Sequence, residues 1–140
     1  MNQLRHATGQ RLGHSPWLDI DQRRINLFAG ADEDHQWIHT DPERTATTAT
    51  GTTIAHGYLT LKIAGRRLGE LVDVTDSQQI VNYCVEKARF PAPLPSGSHV
   101  RTRASIIDVS EGDGGRQVRA ASVPKPKAYR NPCVADVQIR

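Results

Sequence analysis

The 140-residue chain is poor in several things, and each shortage narrows the field. It has two cysteines, Cys84 and Cys133, which form no C-x-x-C pair and no disulfide framework, so a reducing cytoplasm is the expected setting. Mean hydropathy is -0.53, and no apolar run approaches the ~20 residues that a membrane-spanning helix needs. The first residues, MNQLRHATGQRLGHS, lack the apolar stretch of a secretory signal. A large excess of one charge is also missing, because 18 Lys and Arg are interleaved with 15 Asp and Glu, for a net charge of +3. Aromatics make up 5%, and no basic stripe is interleaved with them, which argues against nucleic-acid binding. The mild basic excess fits smaller anionic ligands such as phosphorylated cofactors. There is no G-x-S-x-G elbow, no G-x-x-x-x-G-K-[ST] loop, no H-E-x-x-H pair and no internal repeat. At 15.5 kDa, residues 1–140 read as a single domain, since two separate cores would each be too small.

What is present divides into two halves. The first half reads as helix and loop. Asp21 can cap a helix from Gln22 to about Ala31 that sets Ile25 and Phe28 on one face. A polar loop, Asp32 to Thr40, follows. Asp41-Pro42-Glu43 then supplies a cap, a proline at the first helical position and an early acid. Thr47 to Thr53 is small and threonine-rich, hence loop. Leu61, Ala64, Leu68 and Leu71 step by three, four and three and predict a longer helix from about Ala55 to Leu71, with Ile54 packed just ahead of it. The second half switches to period two, with strands expected over Gln79–Arg89, Ser98–Val109, Gln117–Val123 and Cys133–Ile139. Glu111-Gly112-Asp113-Gly114-Gly115 is a turn by composition. Pro124-Lys125-Pro126-Lys127 cannot continue a central ladder and marks a turn or a sheet edge. Helix followed by strands gives an α+β class, an antiparallel sheet with a long helix on one face.

The densest group of reactive side chains is Asp34 and His39, with Ile54-Ala55-His56-Gly57 further on. A carboxylate and an imidazole near one another can share proton transfer through a water. An amide in the first turn of a helix has no internal acceptor and can stabilise a developing oxyanion, and glycine there lets a substrate approach the backbone. Spacing alone leaves the alternative open: Asp34 capping a loop, His39 on the surface and Gly57 serving packing. His35, His39, His56, Asp32, Asp34 and Asp41 also offer metal-ligand types, but a calcium loop fails where Trp37 replaces the glycine of its sharp turn. No metal is expected. Cys84 and Cys133 lack an activating partner and read as small core residues.

Taken together, several blocks are familiar. Phe28-Ala29-x-Ala31-x-x-Asp34-His35-Gln36-Trp37-Ile38-His39-x-Asp41-Pro42-Glu43-Arg44, then Gly51-x-Thr53-Ile54-Ala55-His56-Gly57-Tyr58-Leu59-Thr60-Leu61, then Val81-Asn82-Tyr83 and Arg89-Phe90-Pro91-Ala92-Pro93 stand in order between about Gly9 and Val109. They resemble the MaoC-like dehydratases, which include the (R)-specific enoyl-CoA hydratases and a nodulation protein N-like branch. The resemblance implies a single hot-dog fold, an antiparallel sheet wrapped around a long central helix and paired into a homodimer. It implies Asp34 and His39 as the catalytic pair and Gly57 as the residue whose amide polarises a thioester carbonyl. The reaction implied is reversible syn hydration of a trans-2-enoyl-CoA to a (3R)-3-hydroxyacyl-CoA, with no cofactor beyond the coenzyme A of the substrate. Asn82, Arg89 and His56 fall in family blocks as candidates for substrate contact, with a structural or positioning role as the alternative for each. Trp37 is expected to fix the loop between Asp34 and His39 by packing. A hot-dog acyl-CoA thioesterase and a non-catalytic acyl-CoA-binding or dimerisation partner are the alternatives; the Asp34…His39 spacing followed by His-Gly favours the hydratase. Glu33, Thr52 and Cys84 stand where the family usually has glycine, and at Glu33 glycine would allow a positive φ without steric cost.

Overall fold

The computed structural model describes residues 8–72, 79–112, 115–126 and 131–139. In chain order the elements are β1 (Arg11–His14), β2 (Leu18–Ile20), α1 (Gln22–Asp32), α2 (Trp37–Thr40), α3 (Pro42–Ala46), α4 (Gly57–Leu68), β3 (Asn82–Arg89), β4 (Ser98–Gly112), β5 (Gly115–Pro126) and β6 (Val134–Ile139). All strand pairs among the described residues are antiparallel. The sheet runs β1-β4-β5-β6-β3, with β2 also pairing with β4.

The helix starts follow their sequence signals. Asp21 accepts the Arg24 amide at 2.8 Å and opens α1, and Asp41 accepts the Arg44 amide at 2.9 Å and opens α3, with Pro42 next to it. Helix α4 is shorter at both ends than the periodicity predicts. At the front, the Ala55 amide donates to the Leu94 carbonyl at 2.8 Å and Ile54 bridges to Pro95, so this β-branched stretch is extended rather than helical. At the back, Gly69 ends the helix. Glu70 meets Arg66 and Arg67 there, and the Arg67 hydrogen bond holds its carboxyl below the usual range. Two strands that the first half was not expected to contain, β1 and β2, are too short for alternation to show, and Pro16 separates them. They are recruited by β4: Leu18 pairs with Val100, and Arg11 with Ser105.

Helix α4 lies on one face of the sheet against β4, β5 and β6. On β4, Val100, Thr102, Ala104 and Ile106 are buried and alternate with more exposed Arg101, Arg103 and Ser105, as the period-two pattern requires. The front of α4 packs Leu59 and Ile63 with Ile20, Ile25, Leu94 and Val100. The rear packs Leu68 with Val72, Ile106, Cys133, Val137 and Ile139. Burial pushes the Cys133 thiol up to about 11, so it sits there as a neutral apolar group. Register places Gly112 opposite Gly115, so β4 and β5 form a hairpin; its tip residues 113–114, like Lys127, lie outside the described residues. Pro124 and Pro126 pair with β4 on one side, whereas β5–β6 pairing ends at Ser122, so the prolines occupy an edge as expected. This helix-in-sheet architecture is the hot-dog fold.

Candidate active site

The end of α1, the short α2 and the start of α4 converge on one spot. Helix α1 stops because Glu33 takes a left-handed backbone, φ 58° and ψ 15°, the one non-glycine residue with positive φ among the described residues. That turn presents Asp34, whose side chain is 48% exposed and whose Oδ1 accepts the Gln36 amide at 3.3 Å. Where the sequence predicts only loop, Trp37 to Thr40 coil into α2, with the Arg44 guanidinium 4.1 Å from the Trp37 ring centre. That contact is a packing role for Trp37.

Helix α2 buries His39. Its Nδ1 lies 2.6 Å from the Ile54 carbonyl. A carbonyl only accepts, so Nδ1 carries a proton, and in the neutral ring Nε2 keeps its lone pair. His56, at the N-cap of α4, is 3% exposed and makes no side-chain capping bond. Its ring stacks on His39 with centroids 3.8 Å apart and planes at 23°, and its Nε2–H donates to the Asp34 main-chain carbonyl at 2.9 Å. His56 therefore ties the Asp34 loop to α2 and α4. Its Nδ1 is buried without a hydrogen-bond partner among the described residues. One carboxylate oxygen of Asp34 and one nitrogen from each of His39 and His56 lie within 4.8 Å of one another.

This trio fits a metal poorly. With the rings stacked at 23°, their in-plane lone pairs run nearly side by side rather than converging, which disfavours an ion that needs ~2.0–2.1 Å to both. The spacing suits a shared water instead, since two ordinary hydrogen bonds of ~2.8 Å span such a gap.

Gly57, next to His56, is the first residue of α4. Its N–H has no acceptor within the helix and stands at the positive end of the dipole. A Cβ there would meet the Phe90 ring at 3.2–3.3 Å, so the residue is glycine under a close aromatic neighbour. Phe90 in turn stands edge-on to Tyr58, centroids 6.1 Å apart. Asn82 is set apart from the Asp34–His39–His56 group in the fold. A Cβ at Gly65, two turns beyond Gly57 and about 12 Å along the axis, would lie 3.8 Å from Asn82 Oδ1. Asn82, Tyr58, Leu61, Val85 and Val137 help line an apolar groove of about 250 Å³ along α4. Arg89 is exposed at the end of β3, beside Phe90. Gln22 and Thr53, to which the sequence reading gives no role, prove to be linked to His39: Gln22 Nε2 donates to the His39 carbonyl, and the Thr53 hydroxyl donates to Gln22 Oε1. Thr53 falls inside the block Gly51 to Leu61 and carried that signal; Gln22 carried none.

The MaoC like domain family matches residues 3–125. The chain belongs to this family. MaoC-like relatives include 3-hydroxyacyl-thioester dehydratase Z of Mycobacterium tuberculosis (strain ATCC 25618 / H37Rv), 42% identical over 139 residues that cover 98% of this chain and 92% of that one. Nodulation protein N of Rhizobium leguminosarum bv. viciae is 42% identical over 97 residues, 68% of this chain and 60% of that one. Among solved structures, unliganded R-hydratase PhaJ1 from Pseudomonas aeruginosa superposes with a TM-score of 0.77 at 21% identity, covering 94% of this chain and 79% of that one. An (R)-hydratase from A. caviae involved in PHA biosynthesis gives 0.77 at 18% identity, covering 95% of each chain. Family and relatives make this MaoC-like chain a hydro-lyase, and the structural likeness supports its hot-dog fold. Among the described residues no helix is long and apolar enough to cross a membrane.

Proposed function

We propose that the protein is an (R)-specific enoyl-CoA hydratase, acting reversibly between trans-2-enoyl-CoA and (3R)-3-hydroxyacyl-CoA. The observation that carries this reading is the Asp34 carboxylate and the His39 imidazole within 4.8 Å of each other. His39 has its proton on Nδ1 and its Nε2 lone pair unspent. In the hydration direction the two groups hold one water and take a proton from it as its oxygen bonds to the β-carbon. The π electrons shift toward the thioester, and the oxygen that gains negative charge is held by the Gly57 N–H at the start of α4. The acid/base pair then returns a proton to the α-carbon on the same face, so water is added across the double bond in a syn sense. His56 positions Asp34 and His39, and no cofactor enters the scheme. The coenzyme A phosphates give the basic surface a use, and the free thiols suit a cytoplasmic setting.

Crotonyl-CoA tests the reading. Hydration removes the enoyl absorbance without releasing thiol, and chiral analysis finds the 3R product. Free thiol instead identifies a thioesterase, and no change with either readout leaves a non-catalytic acyl-CoA binder.

A further inference from the structure

The first residue of α1 reaches well beyond its own helix. Gln22 Nε2 donates to the His39 carbonyl at 2.7 Å and to Asn26 Oδ1 at 2.8 Å, while its Oε1 accepts the Thr53 hydroxyl. The orientation of the carboxamide is fixed by the His39 carbonyl, which can only accept. Thr53 is fully buried, and its own carbonyl takes the Ser96 amide at 2.8 Å. One peptide further on, the Ile54 carbonyl receives His39 Nδ1–H at 2.6 Å. The Ile54 amide donates to the Ile38 carbonyl at 3.0 Å. The backbone of His39 and the carbonyl that orients its ring are thus joined by a carboxamide–hydroxyl pair as well as by the Ile54–Ile38 backbone bond.

We infer that Gln22 and Thr53 are positioning residues for His39. They hold the Ile54 carbonyl in register with Nδ1–H, which keeps the ring in one tautomer and aims Nε2 away from the backbone. The inference rests on the reading of His39 as the catalytic base. Neither residue touches the reacting atoms, so their effect travels through the geometry of one imidazole. A misplacement of about 1 Å at such a group costs on the order of 10²-fold in rate. If the same bonds only pinned α1 to the loop, their loss would lower thermal stability and leave the ring and turnover as they were.

Thr53→Val and Gln22→Met remove the bonds at nearly constant volume, and Thr53→Ser retains the hydroxyl; each of the first two answers the question alone. Two quantities are read on folded protein: kcat and KM for crotonyl-CoA, and the ¹⁵N imidazole spectrum of His39, assigned by its loss in His39→Gln. The expected result is a kcat lowered about 10–10²-fold with KM within about twofold. The Nδ1-protonated signal of His39 should weaken in parallel, and Thr53→Ser should restore both. Folded Thr53→Val or Gln22→Met protein with wild-type kcat and an unchanged His39 spectrum would overturn the inference. If the wild-type protein shows no hydration, the proposed function fails by itself, and the tautomer of His39 in the variants still decides whether Gln22 and Thr53 position the ring.

Discussion

Glu33 occupies a backbone conformation that an L side chain reaches only at a cost. Its φ of 58° places it in the left-handed region, which disfavours a Cβ by about 1–2 kcal/mol. The sequence already marks the position, because the resemblance expects glycine there, and the structure supplies the reason: α1 must end abruptly for Asp34 to turn toward His56. Glu33→Gly should raise stability by about 1 kcal/mol, part of the gain being offset by the greater freedom of glycine in the unfolded chain. Urea denaturation measures this, and a less stable glycine variant would show that Glu33 makes a compensating contact. Asp34, His39 and Gly57 stand out as candidates in the sequence because they lie in the short blocks that carry the resemblance. Gln22 does not, because its bonds to His39 and Thr53 span 17 and 31 residues and no pattern in the chain encodes such a reach. The His39–His56 stack was equally hidden, since it depends on how α2 and α4 approach one another.

At the level of elements, caps and alternation were legible and short pieces were not. Asp21 and Asp41 accept the amides their positions predicted, and β4 alternates as written. Strands of three or four residues hold too little sequence for a period to appear, so β1 and β2 form only because β4 offers them an edge. The four-residue α2 is likewise defined by contacts, with the Asp41 amide closing it on the Trp37 carbonyl at 3.0 Å. Asp41 therefore ends α2 and begins α3. Asp41→Ala should destabilise the protein by about 1 kcal/mol through the lost cap. Because α2 carries His39, kcat should fall as well. Thermal denaturation and crotonyl-CoA kinetics on the same preparation check both; unchanged stability would mean that the side-chain cap contributes nothing to holding α3.

For the whole molecule, β3 is the feature that asks for a partner. It pairs with β6 on one side and has no strand on its other side among the described residues. Val81 and Val85 are 49% and 44% exposed, and Tyr58 on the neighbouring helix is 70% exposed. An open edge flanked by apolar side chains is an invitation to further pairing. We therefore expect a homodimer in solution, with β3 and the exposed face of α4 in its interface. Light scattering at micromolar concentration should give twice the chain mass, and Val85→Lys should shift the mass toward the monomer. A monomeric wild-type protein would contradict this.

In the proposed reaction the Asp34 carboxylate works chemically with His39, while the fold around it is held by other groups. Asp34→Asn separates the two, because His56 hydrogen-bonds the main-chain carbonyl of Asp34, while the half-exposed side chain accepts the Gln36 amide and has Oδ2 4.0 Å from His56 Nε2. Turnover of crotonyl-CoA by Asp34→Asn should fall about 10²–10⁴-fold with the melting temperature nearly unchanged. Near wild-type turnover in that folded variant would remove the carboxylate from the reaction and contradict the account.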